Sequence, residues 1–148
     1  MTDLTDKLKI ALSDTFAFYL KAHYYHWNIE GPDFSQYHKF LNDIYEEVFE
    51  AVDLIAEHIR TLDSYAPGSF KRFSELTNIE DELTIPEAKM MLSRLLSDND
   101  IVINTLIESY KAAEQANEHG LANFLQDRID AHKKHAWMLK AITKGTNK

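Results

Sequence analysis

The chain has 148 residues, 45% of them hydrophobic and 27% charged, which fits one domain spanning 1–148 and excludes a disordered or fibrous polypeptide. It has no cysteine, which excludes disulfides and thiolate metal sites and leaves His, Asp, Glu and backbone as ligands, a set suited to iron, manganese or zinc. The formal net charge of −8 argues against a general nucleic-acid binder and fits a surface that draws cations.

The first twelve residues, Met1 to Leu12, mix acids, lysines and short apolar steps. They show no apolar signal core or cleavage pattern, and no run approaches bilayer length, so a cytoplasmic protein without membrane contact is expected. A first helix is predicted from about Leu4 to Asn28, with Leu8, Leu12, Thr15/Phe16, Tyr19, His23 and His26 recurring at helical spacing. Gly31-Pro32 closes it. A second helix is predicted from about Phe34 to Leu62. Asp33 is its N-cap, and Tyr37, Leu41, Ile44, Val48, Val52, Ile55 and Ile59 form an apolar stripe. Residues 63–83 are too many for a tight turn, and Phe70 to Leu76 suit a short helix there. A third long helix is expected after a capping box, Thr84-Ile85-Pro86-Glu87, running through Met91, Leu95, Ile101, Leu106 and Tyr110 toward His119. Gly120 is read as its C-cap, before a last helix from Leu121 to about Thr143. The sum is an all-α four-helix bundle with short first and last links and one long crossover that carries a short helix.

Chemistry must choose among the functions such a bundle can host. Glu-x-x-His pairs, the usual mark of a two-metal site inside one bundle, are absent: Glu57-His58 and Glu118-His119 are adjacent pairs. Four other residues stand out. His26 ends the first helix and His38 lies a turn into the second, so the Gly31-Pro32 hairpin brings them together. Asp53 and Glu57 are four apart, on one helical face. His38 and Asp53 are separated by about 22 Å of helix axis, whereas ligands of one ion lie roughly 2 Å from it. If all four serve one site, a second copy must complete it. In a two-fold dimer with antiparallel second helices, His38 of one copy faces Asp53 and Glu57 of the other. By spacing alone, a solvated acidic face and a few polar core histidines explain the same residues equally well. His23, His58 and His119 read as ordinary surface or core polar residues, Tyr24, Tyr25 and Trp27 as core. His132 and His135 face together without a carboxylate, a weak metal signal.

At these residues the chain resembles the Dps mini-ferritins. His26-Trp27-Asn28-Ile29-Glu30-Gly31-Pro32-Asp33-Phe34 with His38 is similar to the family's first signature. Asp53-Leu54-Ile55-Ala56-Glu57 is similar to the second, and His132-Lys133-Lys134-His135-Ala136-Trp137-Met138-Leu139 to a third. The resemblance covers nearly the whole chain. It implies a ferritin-like fold, a hollow homo-dodecamer built from two-fold dimers, and a ferroxidase site at each two-fold interface. His26 and His38 would come from one subunit and Asp53 and Glu57 from its neighbour, with room for a second iron at each site. The resemblance further implies oxidation of Fe(II) by hydrogen peroxide or oxygen, storage of ferric iron in the cavity, and a Trp27 that intercepts oxidising equivalents.

Two departures from the family pattern stand out. Asn42 occupies a position where many members carry Asp, which implies a weaker hold on the second iron. For an acidic entry pore, Glu118 matches one expected acid but Asn123 stands at another, leaving Asp127 and Asp130 as further acids. Some members bind DNA through lysine-rich tails. Here Lys7 and Lys9 sit beside Asp3 and Asp6, and Lys140, Lys144 and Lys148 end the chain, so DNA condensation is the lesser reading. A structural cage with weakened iron oxidation is the other. No nucleophile motif or phosphate loop supports an ordinary enzyme on an organic substrate.

Overall fold

A computed structural model describes residues 2–145; Lys148 lies outside the described residues. The elements are α1 (Thr2–Asn28), α2 (Phe34–Thr61), α3 (Phe70–Leu76), α4 (Ala88–Gln115) and α5 (His119–Thr143). No strand occurs among the described residues, and no helix among them is long and apolar enough to cross a membrane. The bundle is all-α. α1 packs against both α2 and α4, α5 packs against α4 and touches α2, and α3 leans on α1.

The stripe on α2 is the clearest case of pattern becoming packing. Leu41, Ile44, Val48, Ile55 and Ile59 are fully or almost fully buried, joined by Ala51, because steps of three and four keep these side chains on one face of a 3.6-residue helix. Against them lie Leu8, Leu12 and Phe18 of α1, Leu95, Val102 and Leu106 of α4, and Leu121, Leu125 and Leu139 of α5. The core face of α1 differs from the expected one. It runs through Leu4, Leu8, Ala11, Leu12, Thr15, Phe18, Ala22 and Tyr25 to His26. Phe16, Tyr19 and His23 are only half-buried, on the adjacent flank, where Phe16 stacks on Phe73 and Tyr19 meets Phe49. Aromatics stand on both faces of this helix, so periodicity alone did not single out the core side.

Several ends also differ from expectation. Asp33 precedes α2, yet its side chain makes no capping bond; its backbone carbonyl accepts from the Tyr37 amide at 3.0 Å. The capping box does not form. α4 begins at Ala88 after Glu87, Pro86 precedes the helix, and the Thr84 hydroxyl instead donates to Glu82 Oε2 at 2.8 Å. Gly120 lies in the first turn of α5 and caps nothing. The left-handed residue is Asn117, φ 58°. Its amide donates to Glu114 O (3.1 Å), and the Glu118 amide donates to Ala113 O (3.0 Å), the Schellman closure with Asn in place of Gly. Asp63, φ 62°, ends α2 in the same way, its amide donating to Arg60 O and that of Ser64 to Ile59 O.

Buried Asp14 ties the crossover to the bundle. Its carboxylate accepts from the Thr77 hydroxyl (2.7 Å), the Asn78 amide N–H (2.6 Å) and side chain (3.1 Å), and the Thr105 hydroxyl (2.7 Å). Four donors offset the cost of sequestering a charge from water. Lys21 pairs with Asp98 at 2.8 Å, so the two pairings, 14 with 105 and 21 with 98, run α1 and α4 antiparallel.

Candidate metal centre

Gly31 takes φ +121°, a conformation that side chains disfavour. The sharp turn folds α2 back onto the end of α1. His26 and His38 then stack, ring centroids 3.7 Å apart and planes 16° from parallel. Each ring is held by the other's backbone: Nδ1 of His26 donates to the His38 carbonyl at 2.7 Å, and Nδ1 of His38 donates to the His26 carbonyl at 2.8 Å. A carbonyl only accepts, so each proton is assigned to Nδ1 and each Nε2 keeps a free lone pair. Metal-binding imidazoles are commonly aimed in this way, with the second nitrogen anchored on a backbone oxygen. Phe34 stacks beyond His38 at 5.0 Å and Tyr45 lies edge-on to His26 at 5.1 Å.

Asp53 and Glu57 stand a turn apart on α2, both exposed. The Glu57 carboxyl is raised above the usual carboxylate range, first by its hydrogen bond with Asp53 and then by that neighbour's charge. Two such acids share a proton or take up a cation, which relieves their repulsion. The histidine pair and the acid pair do not meet. Among the described residues, no three His, Asp or Glu side chains converge to hold an ion. Within one chain the two pairs therefore stay separate.

Asn42 lies one turn beyond His38, and its Oδ1 accepts from the Tyr45 hydroxyl at 2.8 Å. Trp27 is 59% exposed rather than core, and its indole lies 4.0 Å from the His23 ring. Burial, and then the neighbouring His26, push the His23 imidazole down, which keeps it neutral at pH 7. Glu118 is half-buried at the start of α5, and Asp127 and Asp130 are exposed along it. Glu118 and Asp127 are nine residues apart, about 13 Å of helix, so one chain does not gather them into a single site.

Sequence reasoning missed a buried polar seam between α2, α4 and α5. His132 and His135 have a carboxylate beside them after all: Nε2 of His135 donates to Glu47 Oε1 at 2.8 Å. Arg128 pairs with Glu47 through both of its terminal nitrogens and also donates to Nε2 of His132 at 3.1 Å. Nδ1 of His132 donates to Asn99 Oδ1 at 2.7 Å. Both nitrogens of His132 are thus occupied, and the cation here is a guanidinium. Burial pushes Glu47 up, but His135 and Arg128 outweigh it and hold the acid well below the usual carboxylate range. The signal was present: 121, 125, 128, 132, 135 and 139 step by four and three, and Arg128, His132 and His135 occupy core positions of that stripe.

The model of the ferritin-like domain family matches residues 5–148. An uncharacterised low temperature-induced protein of Nostoc is 31% identical over 136 residues, covering 90% of this chain and 76% of that protein. The DNA protection during starvation protein 2 of Bacillus anthracis is 25% identical, covering 88% of this chain and 90% of its own. The crystal structure of a Dps protein from Vibrio cholerae O1, described as a ferritin-like diiron-carboxylate protein, superposes with a TM-score of 0.92 at 25% identity, over 97% of this chain and 90% of that one.

Proposed function

Because the chain belongs to the ferritin-like family and, within it, to the Dps mini-ferritins, we propose that it oxidises Fe(II) at sites shared between two subunits and stores the ferric product inside a hollow dodecamer. The family's general role in iron storage and protection from oxidative damage supports this reading. One observation carries it: a stacked, backbone-anchored histidine pair with two free Nε2 lone pairs, which no carboxylate among the described residues joins to form a metal-binding group.

In this proposal His26 and His38 of one subunit and Asp53 and Glu57 of its neighbour bind ferrous iron, the substrate. Imidazole nitrogen and carboxylate oxygen suit Fe(II), and the carboxylates offset the charge gained on oxidation. Glu57 can bridge to a second ferrous ion beside Asn42. Two ions at about 3.5–4 Å each give one electron to one peroxide, whose O–O bond breaks to two hydroxides, so no hydroxyl radical is released. Binding needs unprotonated Nε2 atoms and a Glu57 without its shared proton, so it weakens as pH falls. The same proposal covers a single domain over 1–148, a cytoplasmic location, iron entry past Glu118, Asp127 and Asp130, and no dependence on DNA. Lys7 pairs with Asp3 at 3.2 Å, which dilutes any basic tail.

The experiment is solution mass measurement followed by peroxide-driven iron loading of the same sample. Wild type should be a dodecamer that oxidises Fe(II). The Asp53→Ala, Glu57→Ala double variant should assemble but lose at least about tenfold in rate, a difference of roughly 1.4 kcal/mol. Unchanged oxidation by the double variant sinks the site assignment.

A further inference from the structure

Three aromatic side chains beside the histidine pair have no part in the function above: Tyr19, His23 and Tyr45. The Tyr19 hydroxyl lies 2.9 Å from Nδ1 of His23. A phenol is a stronger acid than the N–H of a neutral imidazole, so the phenol is assigned as the donor. The His23 ring stacks on Tyr45, centroids 3.8 Å apart and planes 10° from parallel. Tyr45 in turn lies 6.2 Å from Tyr19 and 5.1 Å from His26. A continuous run of π systems thus connects Tyr19 with a histidine proposed to hold iron.

We propose that Tyr19 is an electron-donating residue for the oxidation, its phenolic proton passing to His23 as its electron travels through Tyr45 to the His26 end of the site. The inference rests on the function proposed above.

The need arises when a site holds one ferrous ion. Peroxide takes two electrons to become two hydroxides, and one Fe(II) supplies only one. Tyr19 supplies the other: Fe(II), hydrogen peroxide and Tyr19–OH give Fe(III), two hydroxides, a neutral Tyr19 phenoxyl and protonated His23. A later ferrous ion returns one electron, the proton moves back from His23 to the phenoxyl oxygen, and a second Fe(III) forms. Atoms and charge balance in both steps.

Geometry distinguishes Tyr19 from its neighbours. A phenol loses an electron readily only when its proton can leave at the same time. Tyr45 donates to the side-chain amide oxygen of Asn42, which is far too weak a base to accept that proton. The Trp27 indole reaches His23 by its ring alone. Tyr19 alone of the three has an imidazole nitrogen at its hydroxyl.

The test is freeze-quench electron paramagnetic resonance after mixing the assembled protein with one ferrous ion per site and hydrogen peroxide. Wild type should give a tyrosyl signal. Tyr19→Phe should lose it, with the assembled mass unchanged, while Tyr45→Phe, which keeps the conducting ring, should retain it. Absence of the signal in a wild type that consumes Fe(II) overturns this inference alone. So does a signal that survives Tyr19→Phe, vanishes in Tyr45→Phe, or belongs to an indole. A wild type that leaves Fe(II) unoxidised overturns the proposed function as well.

Discussion

The two Nδ1-to-carbonyl bonds decide what His26 and His38 can do. Each side chain is fixed by the other's main chain, so the lone pairs are aimed before any ion arrives, and little rotamer freedom remains to be lost on binding. The pairing itself was legible in the sequence, because a Gly-Pro turn between two helices brings residues on either side of it together. The tautomers were not, since they depend on where two carbonyls point. Asn42 was legible as a departure, but its hydrogen bond with Tyr45 was not. That bond leaves a neutral oxygen, already engaged, where the proposed second ion would need a ligand. Asn42→Asp should therefore raise the affinity for the second ferrous ion by on the order of tenfold, about 1.4 kcal/mol, read by anaerobic titration calorimetry as a second resolved binding step. An unaltered isotherm counts against a second ion beside residue 42.

Among the elements, α2 was the most legible and the ends of α4 and α5 the least. A strongly one-sided stripe such as Ile44-Val48-Ile55-Ile59 specifies both helix and buried face. An end is set by a single left-handed residue, and Asn117 fills that place as well as glycine does, while Gly120 is tolerated in a first turn. The polar seam of α5 escaped notice because its charge partner, Glu47, comes from another helix. That seam gives the fold an acid weakness. His132 is buried, and desolvation, then Arg128, hold it neutral with a pKa well below 6.5. Below pH 6.5 the unfolded chain takes up a proton at this imidazole that the native state refuses, so stability falls as pH falls. The slope is about 1.4 kcal/mol per pH unit for one proton. Glu47 is depressed from 4.5, so its stabilising effect is complete above that value and fades below it. Guanidinium midpoints should decline in two stages on acidification, the first beginning near pH 6.5. His132→Gln should flatten the first stage, at some cost in stability at neutral pH. An identical pH profile for the variant removes His132 from the account.

On the scale of the whole molecule, the proposed function makes the number of copies part of the chemistry. The helix arithmetic separating His38 from Asp53 was available from the chain alone, and the folded protomer keeps the two pairs apart. What the sequence did not carry is the surface on which copies meet, because apolar residues such as Trp27, Phe70 and Trp137 look like core in a one-dimensional pattern yet are exposed here. Shared sites make a sharp prediction. Subunits bearing His26→Ala and His38→Ala should be inactive by themselves, as should those bearing Asp53→Ala and Glu57→Ala. Co-assembled in equal amounts, they should regain about one quarter of wild-type sites, since in a mixed two-fold dimer one site collects all the lost ligands and the other none. Sites contained within one subunit would leave every mixture inactive, and iron-oxidation assays on co-refolded protein tell the two apart.

On the proposed function, the distance along α2 between His38 and the Asp53–Glu57 pair would also act as an interlock. A lone chain would carry His38, beside His26 of α1, toward one end of α2 and the acids toward the other, and could complete neither site. Oxidation would then start only once neighbours had docked, when the walls that receive the product were already being built.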